Sequence, residues 1–326
     1  MPLATIVVPA FNVAKTLCET LDALLAQTFE DFEIVIVDDG SSDATYAIAK
    51  SYQTDPRVRF IRQRNRGLAG ARNTGIAVAE GAFIGFCDAD DIWEPGKLAA
   101  HVQHLQSDPA VGVSYAGSSL IDDNGDFLGQ SQKPRLKNIE AVHVFKRNPI
   151  GNGSAPVIRR AVFDAIAFRP ASETERDWYF DETFRQSEDI ECWLRIALST
   201  DWIFEGVPGL LTRYRISANG LSAATDRQHM AWENMVTKLT PLAPAFFTRH
   251  APVARAYQLR YLARRAISDL DAERAQRLLL ASLRESKRPL FEEPLKSAVT
   301  ILATAALALG GREALAAIMS QRAART

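Results

Sequence analysis

Two acidic clusters in this chain have the residue types and spacing to do chemistry. In "IGFCDADDIW" (84–93) an apolar run opens directly onto Asp88, Asp90 and Asp91, and in "QSEDIECWLRI" (186–196) Glu188 and Asp189 are adjacent. Aspartates are ionised at neutral pH, so clustered ones repel one another. A divalent cation among their oxygens reverses that balance. Mg²⁺ is commonly held by one or two carboxylates, with waters and phosphate oxygens completing its shell. The small Ala89 between Asp88 and Asp90 leaves room for a ligand beside the backbone. Such a site suits a nucleoside-diphosphate leaving group, whose developing charge a metal neutralises. Asp91, just before "IWEP", reads as a turn or cap residue. Glu188 and Asp189 stand at a predicted helix start, where the macrodipole favours anions. Capping is one reading of the pair; a general base that takes a proton from an incoming hydroxyl is the other.

The elements that must position these groups are legible in the first third. "TIVVP" (5–9), "FEIVIVDDGS" (32–41), "RVRFI" (57–61) and "AFIGFCDADD" (82–91) alternate with helical patterns, and "AVGVSYA" (110–116) follows as a fifth strand. Near-continuous apolar strands alternating with helices predict a mostly parallel sheet covered on both faces. Ligands of such sheets bind beyond the carboxyl ends of the strands. The tails "PAFN", "DDGS" and "DADD" should therefore collect on one edge, with Asp43 capping the second helix. "GSSLIDDNGDFLG" (117–129) reads as a hairpin turning at Asn124-Gly125. Residues 130–225 are less regular, with a strand at "SAPVIRR", a helix at "EDIECWLRIALS" and a strand at "DWIFEGV". From about residue 226 the pattern is helical, including a helical hairpin across "SDLD".

Composition excludes several classes. The chain has 326 residues, and 38 Lys/Arg nearly balance 39 Asp/Glu, so there is no general excess of positive charge for nucleic acid. The three cysteines, Cys18, Cys87 and Cys192, lack metal-ligand spacing and point to a reducing, cytoplasmic setting. The start "MPLATIVVPAFN" lacks the features of a signal peptide. "AVTILATAALALGG" (298–311) is too short for a membrane span and reads as a buried core helix. Residues 251–326 carry 13 Lys/Arg against 7 Asp/Glu. This basic tail suits a cap on the preceding domain, a homodimer contact or a peripheral seat on the cytoplasmic face of an anionic membrane. A solvated helix face with scattered Arg is the plain alternative.

The segments "VVPAFN", "EIVIVDDGSSDAT", "RNRGLAGARNTGIAVAEGAFIGFCDADDIWEPGKL", "FDETFRQSEDIECWLRIA" and "YRISANGLS" occur in an order and spacing that resembles the inverting glycosyltransferases of family two, over about residues 4–223. The resemblance implies a GT-A α/β fold, a mostly parallel sheet flanked by helices, with residues 1–225 as the catalytic domain and 226–326 as a helical extension. Within it, residues 1–116 form the nucleotide-sugar half and 117–225 the acceptor side. It implies that Pro9, Ala10, Phe11 and Asn12 line the nucleotide pocket and that Asp39 hydrogen-bonds the nucleobase. Arg72 would approach the donor. Asp88, Ala89 and Asp90 would form the DXD motif, with Asp90 and Asp88 on Mn²⁺ or Mg²⁺. Asp189 would be the base, with Glu188 and Trp193 on the acceptor side. The donor implied is a nucleotide-sugar, a UDP-sugar first, and the acceptor a glycan or lipid-linked sugar in bacterial surface polysaccharide assembly. One departure is Ser217, where many members carry a His that approaches the diphosphate; Arg213 or Arg215 would supply that help instead.

Rival readings separate on sequence features. A dinucleotide-binding dehydrogenase needs G-x-G-x-x-G after the first strand, and "VVPAFNVAK" has no glycine there. A sugar nucleotidyltransferase needs an early glycine-rich basic loop, which is absent. A catalytically inactive, glycosyltransferase-like scaffold is the alternative from another class; it gives no reason to keep Asp39, Asp88, Asp90 and Asp189 together. "NGS" at Asn152 has the form of a glycosylation sequon and reads as chance.

Overall fold

The computed structural model describes residues 1–217 and 225–311, in two compact units. One is built from residues 1–144 and 148–217, the other from 145–147 and the described part of 219–326. The last five residues of "YRISANGLS" (218–222) lie outside the described residues.

In the first unit, β1 (Ala4–Ala10), β2 (Phe32–Asp38), β3 (Val58–Arg62) and β4 (Phe83–Phe86) are parallel in the order β3-β2-β1-β4. Every residue of β1 and β2 is buried. Alternate side chains therefore serve two apolar layers. Ile6, Val8, Ile34 and Ile36 share a core with Leu17, Leu21 and Leu24 of α1 (Leu17–Leu25), while Val35 and Val37 meet Ala71 of α3 (Gly67–Val78). Between these helices comes α2 (Thr45–Ser51); Ala44 stands at its N-cap, and Asp43, one residue earlier, accepts the Thr45 amide through Oδ1 at 2.9 Å.

Beyond β4 the sheet becomes mixed. It continues through β5 (Ile92–Trp93), β6 (Val111–Ile121), β7 (Phe127–Gln132), β8 (Val157–Arg159) and β9 (Ile203–Arg215). β8 runs antiparallel to both β4 and β6, while β9 lies parallel to β6. The expected hairpin joins β6 to β7; Gly125 has φ +89°, and Asp122 Oδ1 accepts from the Asn124 and Asp126 amides. α4 (Lys97–Ser107), α5 (Ala141–Arg147), α6 (Arg160–Ile166) and α7 (Glu188–Ser199) complete the connections.

The second unit holds α8 (Thr225–Leu239), α9 (Pro244–Ser268), α10 (Ala272–Glu285), α11 (Arg288–Glu292) and α12 (Pro294–Ala308). The predicted hairpin is α9–α10, turned by Leu270 at φ +56° and capped by Asp271, which accepts the Arg274 amide. Leu259, Leu262, Ala263, Ala266 and Ile267 are buried, as are Ala275 and Leu279. α12 corrects the expectation of a buried core helix. Its inward face is Ser297, Thr300, Thr304 and Leu307, while Leu295 (76% exposed) and Leu302 (69%) point outward. The reason is that its small hydroxyl residues, not its apolar ones, fit closely in the helix pack. Among the described residues no helix is long and apolar enough to cross a membrane.

Candidate functional site

The tails after β1, β2 and β4 are tied to one another by side-chain hydrogen bonds. Asn12, at a left-handed φ of 54°, accepts through Oδ1 from the Ser42 amide at 2.9 Å, and its own amide donates to Ser41 Oγ at 3.0 Å. Thr16 Oγ1 donates to the Ala89 carbonyl at 2.8 Å, joining the first tail to the third. Pro9, Ala10 and Ala89 are buried backbone-forming residues, whereas Phe11 is half exposed.

Asp39 is 2% exposed and organises the start of α3. Its Oδ1 accepts from Gln63 Nε2 (2.6 Å) and the Arg66 amide (2.8 Å), and its Oδ2 from the Gly67 amide (2.8 Å). A carboxylate has about four lone-pair sites, so Oδ2 keeps one for another N–H donor. Burial raises the Asp39 pKa, opposed by these donors and by the nearby Arg185 guanidinium. Arg185 lies directly against Gly67, whose missing side chain and φ of +79° make room for it.

Arg72 joins the two acidic clusters. It is 2% exposed; Nη2 donates to Asp88 Oδ1 at 2.8 Å and Nη1 to Glu188 Oε1 at 2.7 Å. Its guanidinium also lies over the Phe86 and Phe180 rings, 5.8 and 5.5 Å from their centroids. Arg72 is thus not an open donor-facing cation, as the resemblance implies, because its two terminal nitrogens are already held by carboxylates. It acts on the site through Asp88 and Glu188. Removing one partner from a buried ion pair typically costs about 3–5 kcal/mol, so the clamp is a stiff one.

The DXD loop rests on groups that the sequence did not single out. Ser154 Oγ accepts from the Asp88 amide at 2.9 Å and donates to Asp91 Oδ2 at 2.5 Å. Asp91 is fully buried and also accepts the Arg215 amide at 2.9 Å. It is a buried tie between the loop, β9 and Ser154, which corrects the plain turn reading. A side chain at Gly153 would overlap the Arg72 guanidinium, so only glycine lets this strap run beneath the Arg72–Asp88 pair. The signal for this strap was the small-residue run "GNGS". Asn152 is 4% exposed, held by Ser118 and Gln132, consistent with a chance sequon.

Asp90 has its pKa pushed up to about 6, by burial first and then by the charge of Asp88. Two adjacent carboxylates that resist joint ionisation fit a cation that relieves the repulsion. Among the described residues no three His, Cys, Asp or Glu side chains form a metal cluster. Asp88 and Asp90 could hold such a cation, with a diphosphate and water completing its shell as in Mg²⁺-type sites. The proposed help from Arg213 or Arg215 is corrected by their partners. Arg213 pairs with Glu94 at 2.7 Å, and Arg215, 6% exposed, is spent on the Asp90 and Asp122 carbonyls and Glu19.

At the start of α7, Glu188 is pushed up to about 7 by burial, against the pull of Arg72. Asp189 is also raised by burial, with Arg72 opposing, and its Oδ1 accepts the Ile190 amide at 2.8 Å. A carboxylate raised in this way holds a proton more readily, as a general base requires. Trp193 does not face an acceptor. It is 1% exposed with its ring edge-on to Phe180 at 5.7 Å, because one helical turn past Asp189 the α7 surface turns into the core. The irregular segment before α7 is latched onto α3 and the residue that precedes it: Arg66 pairs with Glu182 at 2.8 Å and with Glu173, and Arg176 Nε donates to Thr74 Oγ1 at 3.0 Å.

A buried site of paired carboxylates at the carboxyl edge of a parallel β3-β2-β1-β4 sheet defines a GT-A nucleotide-sugar fold. The sequence model of glycosyl transferase family 2 matches residues 5–167, and the chain belongs to that family. It is similar to an uncharacterized glycosyltransferase of Rickettsia bellii (strain RML369-C), 27% identical over 73% of this chain and 34% of that protein. Chondroitin synthase of Escherichia coli is 36% identical over 39% of this chain and 19% of its own length. The chain thus spans about a third or less of these two relatives. Among solved structures, S. aureus TarS 1–349 in complex with UDP-GlcNAc matches with a TM-score of 0.54 at 17% identity, covering 86% of this chain and 89% of that one. The mannosyltransferase PcManGT from Pyrobaculum calidifontis, in complex with GDP-Man and Mn²⁺, matches with a TM-score of 0.53 at 21% identity, covering 93% and 86%.

Proposed function

We propose that this chain transfers a sugar from a nucleoside-diphosphate sugar to a hydroxyl acceptor with inversion at the anomeric carbon. The observation that carries the reading is the Arg72 clamp, which joins Asp88 of the DXD loop and Glu188, the neighbour of Asp189 at the start of α7, on one buried cation. Asp189 takes the proton of the acceptor hydroxyl as its oxygen attacks the anomeric carbon, and the nucleoside diphosphate departs on the opposite side. Mn²⁺ or Mg²⁺ held by Asp90 and Asp88 would neutralise charge on the departing diphosphate. Asp39 offers its remaining lone pair to an imide N–H of the base, which supports a uracil donor. The neighbours' ligands, UDP-GlcNAc in TarS and GDP-Man in PcManGT, support a nucleotide-sugar while leaving two bases to compare. Holding two substrates in line and stabilising charge supply most of the rate in such a reaction.

The finer parts belong to the same proposal: residues 1–225 as the catalytic domain, a glycan or lipid-linked acceptor in surface glycan assembly, a cytoplasmic site of action and a homodimer contact. Calorimetric titration of the full chain with UDP, GDP and dTDP, each with Mn²⁺ and with EDTA, tests it. The expected result is metal-dependent binding of one nucleotide, UDP before the others. Folded protein that binds none of them would sink the reading in favour of a scaffold.

A further inference from the structure

The second unit carries an inverted helix. In α12 the residues that pack inward are Ser297, Thr300, Thr304 and Leu307. On the outward side stand Leu295 (76% exposed), Val299 (52%) and Leu302 (69%), spaced four and three residues apart, with Phe291 of α11 (79%) next to them in sequence. Scattered exposed apolar residues are ordinary; a continuous helical stripe of them marks a surface that something covers.

The charges around this stripe indicate what covers it. Lys287, at the N-cap of α11, Arg288 of α11 and Lys296 of α12 are exposed. The neighbouring carboxylates are shared among more cations than there are acids: Glu285 with Arg255, Glu292 with Lys146 and Arg288, and Glu293 with Arg147, Arg260 and Lys296. Those partners bring more cations to the region than it has acids. A second copy meeting this face about a two-fold axis would set Lys287, Arg288 and Lys296 against themselves. Residues 312–326 carry Arg312, Arg322 and Arg325 against Glu313, so they too would add like charge. An apolar stripe bordered by a net excess of cations over carboxylates is complementary to an anionic bilayer surface. At 15 residues α12 reaches only about 22 Å, short of the roughly 30 Å hydrocarbon core, so it lies along the interface.

We propose that the outward face of α11 and α12 seats on an anionic lipid bilayer, with Phe291, Leu295, Val299 and Leu302 in the acyl boundary and Lys287, Arg288 and Lys296 among the headgroups. This gives the expectation of peripheral membrane contact a specific surface, and it stands independently of the catalytic reading.

The test is co-sedimentation of the full chain with phosphatidylglycerol–phosphatidylcholine vesicles and with pure phosphatidylcholine vesicles, at low and high salt. Binding to the anionic vesicles alone, weakened by salt, is expected. Lys296→Glu should weaken it by about fivefold or more, and Leu295→Ser with Leu302→Ser should weaken it further, while nucleotide titration of both variants stays unchanged. Binding that survives both sets of substitutions overturns the assignment of this face. Absence of binding at low salt overturns the lipid partner. In that case a dimer by light scattering that Leu302→Glu dissociates identifies a second copy as the occupant, and a monomer indicates that the chain covers the face itself.

Discussion

Arg72 shows how one buried cation can organise a site made of anions. Asp88, Glu188 and Asp189 all act on it electrostatically, and its pKa is held above the ordinary arginine range by those carboxylates despite burial. Its planar fork lets two terminal nitrogens serve two acids at once, which a lysine could not reproduce. Within that field Asp189 is the residue assigned to proton removal. Asp189→Asn keeps an oxygen for the Ile190 amide and the shape of the α7 start, but it cannot accept the acceptor's proton. Nucleotide affinity is expected to stay within about twofold while turnover falls by about 10²–10⁴. Single-turnover transfer assays beside calorimetry check it; turnover at the wild-type level would remove Asp189 from that role.

β5, the approach to β8, β9 and the start of α4 are knitted together by a buried lysine. Lys97 Nζ donates to the Ala155 carbonyl at 2.7 Å and to Thr212 Oγ1 at 2.9 Å, and it sits 4.8 Å from the Trp93 ring centroid. Burial pushes its pKa down from 10.5 to about 7. The folded protein therefore binds fewer protons than the unfolded chain between those two values. Stability contributed by this group is fully present above the unfolded value and is lost as pH falls toward 7. The slope it adds is at most about 1.4 kcal/mol per pH unit. Lys97→Met keeps the apolar stem and removes the proton. Urea midpoints measured across that alkaline window should rise with pH in the wild type and be flatter in the variant. Equal slopes in the two proteins would show that Lys97 does not titrate this way.

For the molecule as a whole, ligand and metal should act on stability together. The DXD loop is held by Ser154, Asp91 and Arg215, so a ligand drawing on Asp88 and Asp90 binds the folded chain and not the unfolded one. Nucleotide with Mn²⁺ at about a hundred times its Kd should raise the unfolding free energy by about 2.7 kcal/mol. Thermal unfolding with nucleotide and Mn²⁺, and again after EDTA, checks it. The upward shift should vanish with the metal; a shift that survives EDTA would argue that the diphosphate is held by side chains alone.

Strand and helix periodicity by itself determined the parallel first half, the hairpin at Asn124-Gly125, the helical pair across Asp269–Asp271 and the edge where the three tails meet. These depend on local pattern, on turn chemistry and on a handedness rule that needs no distant contact. Family motifs in the sequence likewise marked Asp39, Asp88, Asp90 and Asp189. Only the tertiary structure decided what touches them. Ser154 lies 66 residues from Asp88, Glu188 lies 116 residues from Arg72, and Arg215 lies 124 residues from Asp91. Pairings over such separations leave no periodicity to read. The same holds for Trp193 and α12, whose composition says how apolar they are but not which face the neighbouring helices leave open. Burial depends on the shape of the partner surface, and that surface exists only once the chain has folded.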